Sequence, residues 1–139
     1  MTANTTPVFG LTPNIGRARP AAANTASDGS GTPTTLFTAG ANGSRLDRIR
    51  WRNSQASAAA SSAMVIRIFI SDNAGANYRH LFEAALAAAT RTTSVIGASG
   101  SVEFPGGLLL PTGTLIGCVQ SVYAGVQDLV DFVAEGVDF

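Results

Sequence analysis

Phe104–Gln120 reads FPGGLLLPTGTLIGCVQ, two apolar runs (Leu108–Leu110 and Leu115–Val119) on either side of Pro111-Thr112-Gly113. Proline fixes φ and glycine reaches positive φ, so the tripeptide predicts a tight hairpin reversal between two buried strands. Pro105-Gly106-Gly107 predicts a second reversal just upstream. Apolar runs this short, punctuated this often, build sheet rather than helix.

Outward from this stretch the pattern continues in both directions. Downstream, residues 124–127 (AGVQ) turn the chain, and residues 128–139 make a last strand. Its alternation points Val130, Phe132 and Ala134 inward and Asp131 and Glu135 outward. Upstream, residues 101–104 read as strand and residues 90–101 as a Thr/Ser/Gly-rich stretch with a short strand at Val95-Ile96. Residues 78–89 contain LFEAALAAA, a helix-forming composition. Yet Tyr78, His80, Phe82 and Ala84 alternate with Arg79, Leu81 and Glu83, and the stretch follows the hairpin-type loop DNAGAN (72–77). The expectation is strand over 78–86.

Residues 64–71 (MVIRIFIS) predict the central strand, with Met64, Ile66, Ile68 and Ile70 on one face and Val65, Arg67 and Phe69 on the other. Residues 53–63 are small and polar, a loop. In RLDRIRWR (45–52), Ile49 and Trp51 share a face with Asp47, while Leu46, Arg48, Arg50 and Arg52 share the opposite one. That is a half-buried strand with an arginine row outside, as in an antiparallel sheet. Residues 36–39 form a short strand closed by Gly40-Ala41-Asn42-Gly43.

Residues 1–35 hold four of the six prolines among Thr, Asn, Gly and Ala, which excludes helix and favours extended backbone. Phe9, Leu11 and Ile15 are apolar anchors that a disordered linker would not need. The segment predicts an extended arm lying on its own surface or a neighbour's, with Arg17 and Arg19 as charged contacts. The division expected is an arm over 1–35 and a β-sandwich domain over 36–139. About eight short strands spaced by roughly 8–12 residues predict an all-β, antiparallel two-sheet sandwich, jelly-roll-like.

Composition bounds the function. Only 13% of the 139 residues are charged, against about 25% in ordinary soluble chains, so uncovered surface favours association. All nine basic residues are arginine; codon bias and a need for interfacial ion pairs both account for it. Residues 1–100 hold every arginine and four acids, and residues 101–139 hold five acids and no arginine. Either the halves are neighbouring strands that neutralise each other, or the subunit carries oppositely charged faces that pack against further copies. Cys118, the single cysteine, sits in an apolar run as a small core residue. MTANTTPVFG has neither a basic nor an apolar region of a signal peptide, and no apolar run approaches the ~20 residues of a membrane-spanning helix. Neither secretion by signal peptide nor a membrane contact is expected.

Without lysine there is no phosphate-binding P-loop and no Schiff base. One His and one Cys do not make a usual zinc site. His80 has no Gly-x-Ser-x-Gly elbow to serve, and Asp72–Asn77 places alanine where a calcium loop needs oxygen. The expectation is no enzyme, no cofactor and no small-molecule substrate; the alternative, a free sandwich that binds a carbohydrate or other ligand, calls for exposed aromatics on one face, and Trp51, Tyr78 and Tyr123 are the only Trp and Tyr in the chain. The Arg48, Arg50, Arg52 row is a weak nucleic-acid signal, because Trp51 points away from it and net charge is zero. Pairing with acids of the last strand, or of a neighbour, fits the row better.

The layout as a whole resembles small virion structural proteins of tailed bacteriophages, of the capsid decoration or cement type. The resemblance runs through TPxFGLTPNIG with its following Arg, NTASDGSGTPTTLFTAGANGSRLDRI, the VIRIFISD strand, GLLLPTGTLIG and the terminal Gly-Val-Asp-Phe. It implies a β-sandwich that decorates a capsid or sits in a tail, within a virion assembled in the bacterial cytoplasm. The partners it implies are the major capsid protein and copies of the chain itself, a trimer being the expected oligomer. The residues expected to make these contacts are Phe9, Leu11, Ile15, Arg17, Arg19, Arg48, Arg50 and Arg52. On this reading, deletion of residues 1–33 leaves a folded sandwich that no longer attaches.

Overall fold

The computed structural model describes residues 9–55 and 59–139. Eight strands follow in order: β1 (Thr12–Ala18), β2 (Thr34–Thr38), β3 (Ser44–Asn53), β4 (Met64–Ser71), β5 (Arg79–Leu86), β6 (Ser99–Leu110), β7 (Leu115–Gln120) and β8 (Val130–Asp138). A single 3-10 turn, Val126–Asp128, precedes β8. Sheet 1 has the order β1-β8-β3-β6 and sheet 2 the order β2-β7-β4-β5. Every pairing is antiparallel. Consecutive strands change sheet at each step except the β4–β5 hairpin, which gives the eight-stranded jelly roll.

The core lies between the sheets. Leu46, Ile49, Trp51, Val130 and Phe132 of sheet 1 face Phe37, Ile66, Ile68, Ile116 and Cys118 of sheet 2. A large apolar side chain buried in this way contributes about 1.5–3 kcal/mol. Trp51 reaches across to Phe82 of β5, ring centroids 5.8 Å apart. Gly100 on the neighbouring β6 makes room for it, since a Cβ there would lie 2.6 Å from the indole ring.

The turn at Pro111-Thr112-Gly113 is real, closed by the Thr114 N–H donating to the Pro111 carbonyl at 3.2 Å. It is not a hairpin. β6 is the outer strand of sheet 1, whereas β7 lies inside sheet 2 between β2 and β4. Apolar flanks imply that both strands are buried and leave open which sheet each joins. Pro105-Gly106-Gly107 is no reversal either; it is an irregularity within β6, where the register against β3 jumps from Leu46↔Leu108 to Arg48↔Glu103. The positive φ of Gly106 and Gly107 absorbs the extra residues.

A second bulge corrects the reading of β3. Against β8 the register moves from Leu46↔Gly136 to Arg48↔Glu135, so Asp47 is an extra residue. The bulge resets the alternation: Leu46 is buried alongside Ile49 and Trp51, and Asp47 joins the outer face. Val95 and Ile96 lie in an exposed loop rather than a strand. β5 is a strand as its alternation predicts, and β8 alternates as expected from Val130 onward.

The described part of the N-terminal segment is built into the sandwich. β1 pairs with β8 along its whole length, from Thr12↔Asp138 to Ala18↔Phe132. Gly16 lets β1 close against β2, because a Cβ there would lie 1.9 Å from the Leu36 carbonyl oxygen. Residues 19–33 then cross the outer face of sheet 2 as a strap. Asn24 N–H donates to the Gln120 carbonyl, an Arg67 Nη1 donates to the Thr25 carbonyl, and Pro33 packs over Gly117. Phe69 and Val119, which point away from the core, are thereby buried. Thr34 and Thr35 already belong to β2, so the sheets do not begin at residue 36.

Candidate interaction surface

The outer face of sheet 1 is a grid whose rungs follow from strand register. Pro13, Val137, Arg45 and Leu109 form one rung; Ile15, Glu135, Arg48 and Glu103 the next; Arg17, Val133, Arg50 and Ser101 the third. Asp131, Arg52 and Ser99 form the fourth, which Arg19 completes by pairing with Asp131. The bulge at Asp47 and the alternation after it turn Arg48, Arg50 and Arg52 to solvent while Ile49 and Trp51 stay inside.

Glu135 is held by two arginines at once. Arg48 donates from Nε at 2.9 Å and from Nη2 at 2.5 Å, and Arg50 donates to the other carboxylate oxygen. Arg48 also stands 3.7 Å from Glu103. Arg19 grips Asp131 with both a 2.5 Å and a 2.9 Å bond, the fork-to-carboxylate geometry that lysine does not offer. Arg45 pairs with Asp47 at 2.8 Å. The arginine-rich and acid-rich parts of the chain are thus neighbouring strands that neutralise each other within one molecule. Neutralisation is incomplete on this face, where six arginines (17, 19, 45, 48, 50, 52) meet four carboxylates (47, 103, 131, 135), leaving the other three arginines and five carboxylates elsewhere. Arg17 and Arg52 are exposed and make no ion pair among the described residues.

These contacts move protonation equilibria. The Arg48 hydrogen bond, with the charge of Arg50 behind it, holds the Glu135 carboxyl below its ordinary value. The Arg19 hydrogen bond does the same for Asp131. Asp138, bonded by Ser44 and Asn14, is lowered too and ties β8 to β3 and β1. A carboxyl whose folded pKa is lowered contributes stability that is present above its unfolded pKa and is lost as pH falls through the folded value. Stability is therefore expected to be flat from neutrality to about pH 5 and to fall progressively below about pH 4. Urea midpoints measured across that range check this, and Glu135→Gln should flatten part of the fall.

Beside the grid lies an apolar corner. Phe9 is 72%, Leu11 77%, Ile15 56% and Leu109 68% exposed. Gly10 crosses directly over Val137, since a Cβ at residue 10 would stand 2.5 Å from Val137 Cγ2. The chain at residues 9–11 thus lies on the outer face of sheet 1 with its large side chains turned to solvent.

All eight residues singled out from the sequence lie on or beside this one face. Phe9, Leu11 and Ile15 are exposed, Arg19, Arg48 and Arg50 are paired within the chain, and Arg17 and Arg52 are unpaired among the described residues. Leu109 and Val137 belong to the same surface and are not among the eight; Leu109 sits in a run whose sequence reads as buried, and register places it outside, whereas the alternation of the last strand already turns Val137 outward. His80 stands on the edge strand β5, its ring edge-on to Phe69 and its Nε2 3.8 Å from Glu83. Cys118 is fully buried, and burial pushes its thiol well up. Among the described residues no group of three His, Cys, Asp or Glu side chains is placed to hold a metal ion. No family model, no curated protein and no solved structure matches this chain.

Proposed function

We propose that this chain is a structural virion protein, a capsid decoration protein that docks onto a phage head lattice through the outer face of sheet 1. The observation that carries the reading is the pairing, on one face, of large exposed apolar side chains (Phe9, Leu11, Ile15, Leu109) with a pre-ordered arginine–carboxylate grid. Apolar area supplies affinity and a fixed charge pattern supplies register and partner choice. The guanidinium excess suits an acidic partner surface, either the shell protein or the more acidic remainder of another copy. A jelly roll hosts many functions, so the fold supports the reading without carrying it.

The test is stoichiometry. Quantitative mass spectrometry of purified particles from the host that makes this protein is expected to find it at a copy number comparable to the shell protein. A copy number that is a small fraction of the shell's moves it to the tail or neck. Absence from particles overturns the virion reading.

A further inference from the structure

A cavity of about 740 Å³ lies on the opposite side from the proposed docking face. We propose that it is a saccharide-binding cleft, an assignment that does not depend on the virion reading. Its floor is Leu115 and Thr35 on the outer side of sheet 2. One wall is the end of the strap, residues 28–33, and the other is the β4–β5 loop with the start of β5, residues 74–79. The volume is within the range of small-ligand pockets, roughly 300–1,000 Å³.

Both walls are pre-formed. Ser30 N–H donates to the Asp28 carboxylate and Asn24 Nδ2 to the Ser30 carbonyl, which fixes the strap side. On the other side Ser71 Oγ accepts from Asn73 and Gly75 N–H and donates to the Ala76 carbonyl, while Ala74 N–H reaches across to the Gly113 carbonyl. Five residues of these walls hold positive φ: Gly29, Gly31, Ala74, Gly75 and Asn77. For Ala74 this is a strained conformation, held by the loop's own hydrogen bonds. Tyr78 stands in the wall because Gly117 beneath it has no side chain; a Cβ there would meet the ring at 2.9 Å.

The lining chemistry selects the ligand class. Ser30, Thr32 and Thr35 bring hydroxyls, each both donor and acceptor, and Asn77 brings a carboxamide. Arg79 is exposed into the cleft with no partner among the described residues. Asp28, kept ionised by its bonds from Ser30, faces the same space. A bare anion is disfavoured by Asp28, and a wholly apolar ligand would leave the hydroxyls, Asn77 and Arg79 of a mostly polar lining without partners. A polyhydroxyl ring, donating to the carboxylate and accepting from the guanidinium with one face toward Tyr78, matches every group present.

The experiment uses the full chain, ¹⁵N-labelled, titrated with a panel of hexoses, 6-deoxyhexoses, N-acetylhexosamines and their disaccharides, with inorganic phosphate alongside. At least one sugar is expected to shift the amides of residues 29–32 and 75–79 in a saturable manner. Arg79→Ala and Thr32→Val should each weaken that binding, the arginine change by about tenfold or more, with unaltered melting temperatures. No shift at these amides with any sugar, shifts that map elsewhere, or undiminished affinity in both variants overturns the proposal. Tighter binding of phosphate than of any sugar at the same amides also overturns it.

Discussion

Deleting residues 1–33 is expected to unfold the domain. The deletion removes β1, stripping β8 of a neighbour over seven register positions, and removes the strap that buries Phe69 and Val119. Uncovering each of those side chains costs about 1.5–3 kcal/mol, and each lost ladder hydrogen bond about 0.5–1.5 kcal/mol. The sum is of the order of a whole domain's stability, about 5–15 kcal/mol. Circular dichroism and thermal melting of the truncated chain should show loss of the cooperative transition. A truncated chain (lacking 1–33) that melts within a few degrees of the full one would sink the argument. The sequence-based expectation of a detachable arm thus gives way to an arm that is part of the fold. Attachment is better probed by Leu11→Ser and Ile15→Ser, which alter only exposed side chains.

The second large effect is expected from Asp128→Ala. This carboxylate is fully buried and accepts from Ser62 N–H at 2.7 Å, Ser62 Oγ at 3.2 Å and Ala124 N–H at 2.8 Å. Its backbone carbonyl accepts from Gln120 Nε2, which also donates to the Val122 carbonyl, both at 2.8 Å. Asn53 Nδ2 donates to the neighbouring Gln127 carbonyl at 3.1 Å. One polar knot therefore ties the end of β3, the start of β4, the end of β7 and the turn before β8. Truncation leaves two backbone N–H groups unsatisfied, each costing about 1–3 kcal/mol. A loss of about 3 kcal/mol is expected in urea unfolding, with Asp128→Asn losing less because its carbonyl still accepts. A shift below about 1 kcal/mol for the alanine variant would show that water replaces the carboxylate at no cost.

If the outer face of sheet 1 docks and the cleft on sheet 2 binds sugar, the two functions occupy opposite sides of one sandwich. A subunit seated through its grid leaves the cleft facing outward. Each is testable without the other, since particle stoichiometry reports on the grid and amide shifts report on the cleft.

The fold class was legible because strand signals are local. The period-two pattern of MVIRIFIS and of residues 130–135 reports one buried face directly, and proline and glycine mark where strands must stop. Even the misleading helix composition of LFEAALAAA lost to the alternation around it. The arginine row and its pairing with the last strand were also within reach, because charge alternates with Ile49 and Trp51 by the same rule.

What the local pattern could not reach was anything set by partners distant in sequence. Bulges at Asp47 and at residues 104–107 shift the phase of a strand only relative to its neighbours, so strict alternation puts Leu46 on the wrong face. Proline and glycine mark the turn at Pro111-Thr112-Gly113, but whether it joins paired strands or opposite sheets depends on β7 finding β2 and β4. The cleft is likewise a product of assembly, since its walls are about forty residues apart in the chain and meet only when the strap crosses sheet 2. Short, half-buried antiparallel strands with arginines outside follow from local pattern alone, because each residue's polarity and backbone freedom suffice for that. Tertiary structure decided the sheet membership of each strand, the burial of the N-terminal strap and the position of both candidate sites, because these depend on which distant backbone edges satisfy one another.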